Sequence, residues 1–156
     1  MTDEIHMGRA AKLALEMMRS NKGGPFGAVI VRNGEVIAEG WNQVTSTNDP
    51  TAHAEITAIR AACKKLQTFV LTDCDIYTSC EPCPMCLGAI YWARARRLVY
   101  ACTRGDAAAI GFDDAFIYDE MPKRPAERIL PMQHAPSDEA ETVFRDWLNK
   151  PDRIAY

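Results

Sequence analysis

The sequence predicts an α/β fold, and three observations carry that prediction. Asn33-Gly34 lies between two β-rich runs, 26–31 and 35–41, and Asn-Gly in that setting is the strongest short hairpin signal. A short strand at 75–78, a helix at 83–93 and a strand at 97–101 then alternate as in a βαβ unit. Helical spacing of apolar residues marks the stretches around them.

The elements follow in order. Residues 3–20 place Ile5, Ala11, Leu13, Leu15, Met17 and Met18 broadly at helical spacing, and Asn21-Lys-Gly-Gly-Pro25 stops that helix. After the hairpin, NQVTSTNDPT at 42–51 reads as a polar loop, and 53–66 as a helix with Ile56, Ile59, Ala62 and Cys63 on one face. The strand–helix–strand unit comes next. Beyond Thr103 the pattern weakens: DAAAIGFDDAFIYDE suggests a short helix, a glycine turn and a further irregular or helical piece. MPKRPAERILPMQHAP, with four prolines in sixteen residues, reads as a surface crossing. Ser137 then caps an amphipathic helix that carries acids in its first turn.

A length of 156 residues, 47% of them hydrophobic and 25% charged, fits one globular domain with a real core. Charges interrupt the first twenty residues, unlike a signal or transit peptide, and no apolar run approaches the ~20 residues that span a membrane. A cytoplasmic protein is expected, and in that reducing compartment clustered cysteines bind metal or do chemistry more often than they form disulfides. The net charge of −3 argues against a nucleic-acid partner, whose phosphates call for Lys and Arg. Arg94-Ala-Arg96-Arg97 is the nearest approach to a basic cluster and reads as a solvated helix end.

Chemistry concentrates in TSCEPCPMCLGAIYW at 78–92, where Cys80, Cys83 and Cys86 are three residues apart. A disulfide, a redox dithiol and a metal site all use such spacing. A structural zinc site would need two more ligands at matching spacing, and no second C-x-x-C exists. The missing ligand lies upstream in Thr51-Ala-His53-Ala-Glu55, also at a helix start. His53, Cys83 and Cys86 would hold a tetrahedral zinc with one position left for water, the mark of a catalytic site. Cys83 and Cys86, at i and i+3, share one face of a first helical turn, where the dipole favours thiolate. Pro84 suits the same turn. Parallel strands would set the two helix starts side by side. Glu55, two residues past the histidine, can reach a nucleophilic water and move its proton. H-x-E combined with P-C-x-x-C is the zinc deaminase signature.

On these residues the chain resembles the cytidine-deaminase-like superfamily and, within it, the small bacterial guanine deaminases. The matching segments are GGPFGAVIV at 23–31, NDPTAHAEITAIR at 48–60, TSCEPCPMCLGAIYWAR at 78–94 and GFDDAFIY at 111–118. The resemblance implies a three-layer α/β/α domain over 1–156 around a five-stranded mixed sheet, with one zinc per subunit. It implies hydrolysis of guanine to xanthine and ammonia in purine catabolism or salvage. It assigns Glu55 and Asp114 to catalysis, leaving Asp113 as a competitor, and Asn42, Phe26, Ala54, Trp92 and Tyr156 to the substrate. It also implies a homodimer whose C-terminal segments, about 137–156, are exchanged so that Tyr156 closes the partner's site. Cys80 is left as a strand-end residue packed behind the site.

Two alternatives stay open. A tRNA adenosine deaminase, or another nucleobase or nucleoside deaminase, shares the DPTAHAE-like segment. A non-catalytic zinc-stabilised binding module would need four protein ligands and a basic or apolar face.

Overall fold

The computed structural model describes residues 2–156. Helix α1 (Thr2–Arg19) opens the chain, with Asp3 and Glu4 in its first turn and Arg19 in its last, each sign matched to the helix dipole. The hairpin of β1 (Gly27–Arg32) and β2 (Glu35–Trp41) turns at Asn33 and Gly34, whose φ values of 52° and 81° are those of the expected left-handed turn. Helices α2 (Val44–Thr47) and α3 (Ala54–Leu66) follow, then β3 (Cys74–Cys80), α4 (Pro84–Trp92) and β4 (Arg97–Cys102). The four-residue helix α2 lies inside what the sequence reads as a plain loop.

The sheet runs β2-β1-β3-β4. Strand β1 pairs antiparallel with both β2 and β3, and β3 pairs parallel with β4, which makes β3–α4–β4 the expected βαβ unit. Alternate residues of β1 supply two cores. Ala28 and Ile30 join Ala54, Ala58 and Ala62 of α3 and Ile90 of α4. Val29 and Val31 join Ala10 of α1 and Tyr77. One sheet face thus carries α3 and α4, the other α1, in three layers.

This topology positions the site. Because β1 is antiparallel to both neighbours, β2 and β3 run in the same direction and end at the same edge of the sheet. The chain leaves β2 for α3 and β3 for α4, so the N-termini of the two helices meet there. The parallel strands expected to achieve this are not adjacent; β1 lies between them. Close packing of α3 on β2 depends on Gly40. A Cβ there would lie 2.3 Å from the Ala54 carbonyl oxygen and 2.4 Å from the Ala58 nitrogen.

The sheet has four strands among the described residues, not the expected five. After Thr103 the chain forms helix α5 (Arg104–Ala109) instead. The reason is local. The Thr103 hydroxyl accepts from the Asp106 N–H at 3.2 Å, and the Asp106 carboxylate accepts from the Thr103 N–H at 2.7 Å, a capping box leading into three alanines. Helix α6 (Ala115–Glu120), a 3₁₀ turn (Pro125–Glu127) and α7 (Asp138–Asn149) complete the chain. Ser137 caps α7 as expected, its hydroxyl accepting from Ala140 N–H at 3.3 Å. The chain divides into two compact units, one ending at Phe116 and the other Ile117–Tyr156. In the second, Val143, Phe144, Trp147 and Leu148 of α7 are exposed. No described helix is long and apolar enough to cross a membrane.

Two of the three clustered arginines do more than solvate a helix end. Arg96 donates to Asp75 at 2.9 Å, and Arg97 donates to Asp75 at 3.0 Å and to Asp3 at 2.8 and 3.0 Å. The Tyr77 hydroxyl donates to Asp3 at 2.6 Å. Hydrogen bonds from Arg97, then Tyr77, hold the Asp3 carboxyl down to about 2. A carboxyl depressed in the folded state stabilises fully above its usual value of 3.8, and that contribution is lost as the pH falls through 2. Asp3→Asn is therefore expected to melt at a lower temperature than the wild type at pH 6, with the two curves converging near pH 2. Circular-dichroism melts across that range check it, and equal melting at pH 6 would show that the bond contributes nothing.

Candidate active site

His53 and Cys83 each occupy the residue just before a helix, α3 and α4 respectively, in extended conformation, and neither side chain caps its own helix. Both are therefore available to a ligand. Cys86 lies three residues on and is fully buried. The His53 Nδ1 is 3.5 Å from the Cys83 Sγ and 3.5 Å from the Cys86 Sγ. The three ligand atoms lie within 4.8 Å of one another. Tetrahedral zinc with its usual bonds to nitrogen and sulfur sets such atoms about 3.6 Å apart, so the donors already stand at binding separation. Two thiolates and an imidazole suit zinc in preference to the harder magnesium or calcium.

The two cysteines differ in how readily they ionise. A hydrogen bond from Cys86 and another from His53 hold the Cys83 thiol down to about 4 despite burial. The same contact with Cys83, then burial, pushes Cys86 up. His53 is raised, first by its bond to Cys83. Glu55 is 6% exposed, and its Oε2 lies 3.4 Å from the Cys86 Sγ. Burial pushes its carboxyl up, which favours a group that can carry a proton.

Next to these donors is a cavity of about 430 Å³. His53, Glu55 and Cys83 line it together with Phe26, Asn42 and Ala54. Asn42 is buried, and its Oδ1 accepts from the Gly24 and Val44 N–H groups, each at 3.3 Å. That fixes the amide orientation and leaves Nδ2 as a donor. Asp113 and Asp114 also line the cavity but differ in use. Asp113 Oδ1 accepts from Ala115 N–H at 2.9 Å, as a turn residue does. The Asp114 carboxyl is pushed up by burial, then by the charge of Cys83. Cys80 ends β3, buried, with its thiol 3.6 Å from the Thr103 carbonyl, outside the ligand set.

One expected substrate residue, Trp92, is not among the lining of this cavity and is 67% exposed at the end of α4. Tyr156 is the last residue of the second unit. Conversely, sequence reading misses Thr45, Glu81, Arg104 and Phe112, which line the cavity. Glu81 accepts from the Arg104 N–H at 3.0 Å and pairs with its guanidinium at 3.2 Å, tying the ligand loop to α5. Glu81 and Phe112 carried a signal, through their places in the matching segments at 78–94 and 111–118.

A zinc-binding triad at two helix starts, on a mixed sheet between helical layers, defines a deaminase of the cytidine deaminase type. The chain belongs to that family: the model of the cytidine and deoxycytidylate deaminase zinc-binding region matches residues 1–102. Over all 156 residues it is 53% identical to the guanine deaminase of Bacillus subtilis, covering 100% of both chains. The crystal structure of guanine deaminase from Bacillus subtilis superposes with a TM-score of 0.96 at 54% identity, covering 98% of each chain. Similarity to the tRNA-specific adenosine deaminase of Aquifex aeolicus is 31% over 126 residues, or 81% of both chains.

Proposed function

We propose that the protein is a zinc-dependent aminohydrolase that removes the C2 amino group of guanine, giving xanthine and ammonia. The observation that carries this reading is the 53% identity with a guanine deaminase over 100% of both chains, where the tRNA adenosine deaminases match at 31% to 46% over 53% to 81% of this chain. The net charge of −3 also offers little to a tRNA.

Zinc bound by His53, Cys83 and Cys86 would supply a hydroxide nucleophile at neutral pH, by lowering the pKa of water towards ~7. Glu55 takes the nucleophile's proton and returns one to the ring or the leaving amine. Asn42, through Nδ2, donates to an acceptor on the purine. Ala54 opens α3, so its N–H belongs to the first-turn groups that no helix carbonyl takes up, and it is a second donor. Phe26 stacks on the ring, and Asp114 holds the amino edge or passes a proton to it. Asp113, committed to its turn, leaves Asp114 the better candidate. A cavity whose polar groups are paired by guanine rejects analogues that leave them unpaired.

Trp92 stays a substrate residue on the resemblance alone, while Tyr156 enters this reading through a second subunit, in a homodimer that exchanges segments of about 137–156. The exposed apolar residues of α7 support it. The reading is completed by a cytoplasmic enzyme of purine catabolism or salvage, with no nucleic-acid or membrane partner.

Incubation of the zinc-loaded protein with guanine tests the activity. Ammonia and xanthine are expected in equal amounts; turnover of adenosine or cytidine but not guanine would overturn the substrate. Deleting 150–156 is expected to lower kcat/KM by about 10²-fold, the scale of losing a closing group, with little change in melting temperature. Co-expression with Glu55→Gln should restore activity in mixed dimers, where an intact tail closes the competent site. Unchanged kinetics in the deletion would overturn the exchange.

A further inference from the structure

Phe112 lines the cavity but has no part in the chemistry above. It follows Gly111, whose φ of +92° lies where other residues are strained. Gly111 N–H donates to the Ala108 carbonyl and Phe112 N–H to the Ala107 carbonyl, both at 3.0 Å, closing the end of α5. The turn delivers the ring of Phe112 onto that of Phe26. Their centroids are 4.9 Å apart and their planes cross at 87°. An edge-to-face pair of this kind restrains the tilt of both rings. Both rings line the same cavity, and Phe112 is 45% exposed, unlike a ring that serves only to fill a core.

A flat heteroaromatic ligand gains most from a stacking ring whose plane is already set. A free ring would have to lose its rotational freedom on binding. We propose that Phe112 is a positioning residue that holds Phe26 in the plane on which the purine stacks, and thereby sets affinity for the flat ring without touching the reacting atoms. The proposal rests on the deaminase reading for the identity of the ring.

The test uses the zinc-loaded dimeric or monomeric full chain as purified. Phe112→Ala is expected to raise KM for guanine about five- to tenfold, the loss that one newly mobile side chain represents, with kcat within about twofold of wild type. Phe112→Tyr, which keeps the ring edge, should restore KM, and Phe112→Leu, apolar but not aromatic, should not. Phe112→Ala added to Phe26→Ala should cost nothing further, because the ring it positions is gone. Equilibrium dialysis of guanine, adenine and 2,6-diaminopurine against Glu55→Gln chains, with and without Phe112→Ala, reads the same coupling without turnover. Unchanged KM and dissociation constants in Phe112→Ala, or additive losses with Phe26→Ala, would overturn the proposal while wild-type guanine turnover stands. A wild type that releases no ammonia from guanine yet loses purine binding in Phe112→Ala overturns the substrate reading alone. Retention of none of the three purines overturns both.

Discussion

Glu55→Gln is expected to bind zinc at the wild-type stoichiometry while kcat falls about 10³-fold, or ~4 kcal/mol of barrier. The glutamine amide matches the carboxylate in size, so the buried site beside Cys86 keeps its packing. His53, Cys83 and Cys86, which make up the ligand set, are untouched. What disappears is a buried carboxyl beside that set whose protonation can change back and forth through the reaction. The loss should fall on kcat more than KM, because a proton carrier acts in the transition state and contributes little to ground-state binding. Metal analysis and steady-state kinetics on one preparation separate the two effects. Ordinary turnover with full zinc would show that the proton travels by another route, and Asp114 would then be the first residue to replace.

Why the metal triad can be read from the sequence is a matter of periodicity. Cys83 and Cys86 need only a helical turn to face the same way, and H-x-E at another helix start needs only a sheet whose strands end at one edge. Local rules settle both. The same is true of the Asn33-Gly34 hairpin and of Ser137 as a cap. The five-stranded sheet fails for an instructive reason. Thr103, Asp106 and the three alanines after it carry their own helical instruction, and the resemblance overrode it. Helix α2 escapes because VTST has weak helical propensity and is four residues long.

Substrate-side residues are less legible because their roles depend on tertiary partners. Asn42 looks like a loop residue until Gly24 and Val44 claim its oxygen. Phe112 looks like any aromatic beside a glycine until it meets Phe26, 86 positions away by number (112 minus 26). Asp113 and Asp114 are equivalent as letters. A backbone N–H at Ala115 and burial beside Cys83 make them different.

Cys86→Ala and Cys80→Ser are expected to give opposite results, although both residues belong to one run of three evenly spaced cysteines. Removing Cys86 deletes one of three ligands from a fully buried position. Its effect on affinity should exceed the ~10–100-fold that changes behind a ligand cost, leaving less than about a tenth of the chains with zinc after dialysis. Turnover should fall to background. Binding energy lost from the folded state should also lower the melting temperature, and added zinc should restore little of it. Cys80 differs in both place and charge. Its thiol faces the Thr103 carbonyl at 3.6 Å, and burial pushes it up to about 11, so it is a thiol at neutral pH. Serine can keep that hydrogen bond, and zinc content should stay at one per chain. Metal analysis by mass spectrometry distinguishes the outcomes. If Cys80→Ser lost zinc in parallel with Cys86→Ala, the ion would have four protein ligands and no position for a nucleophile, and a structural zinc module would replace the enzyme.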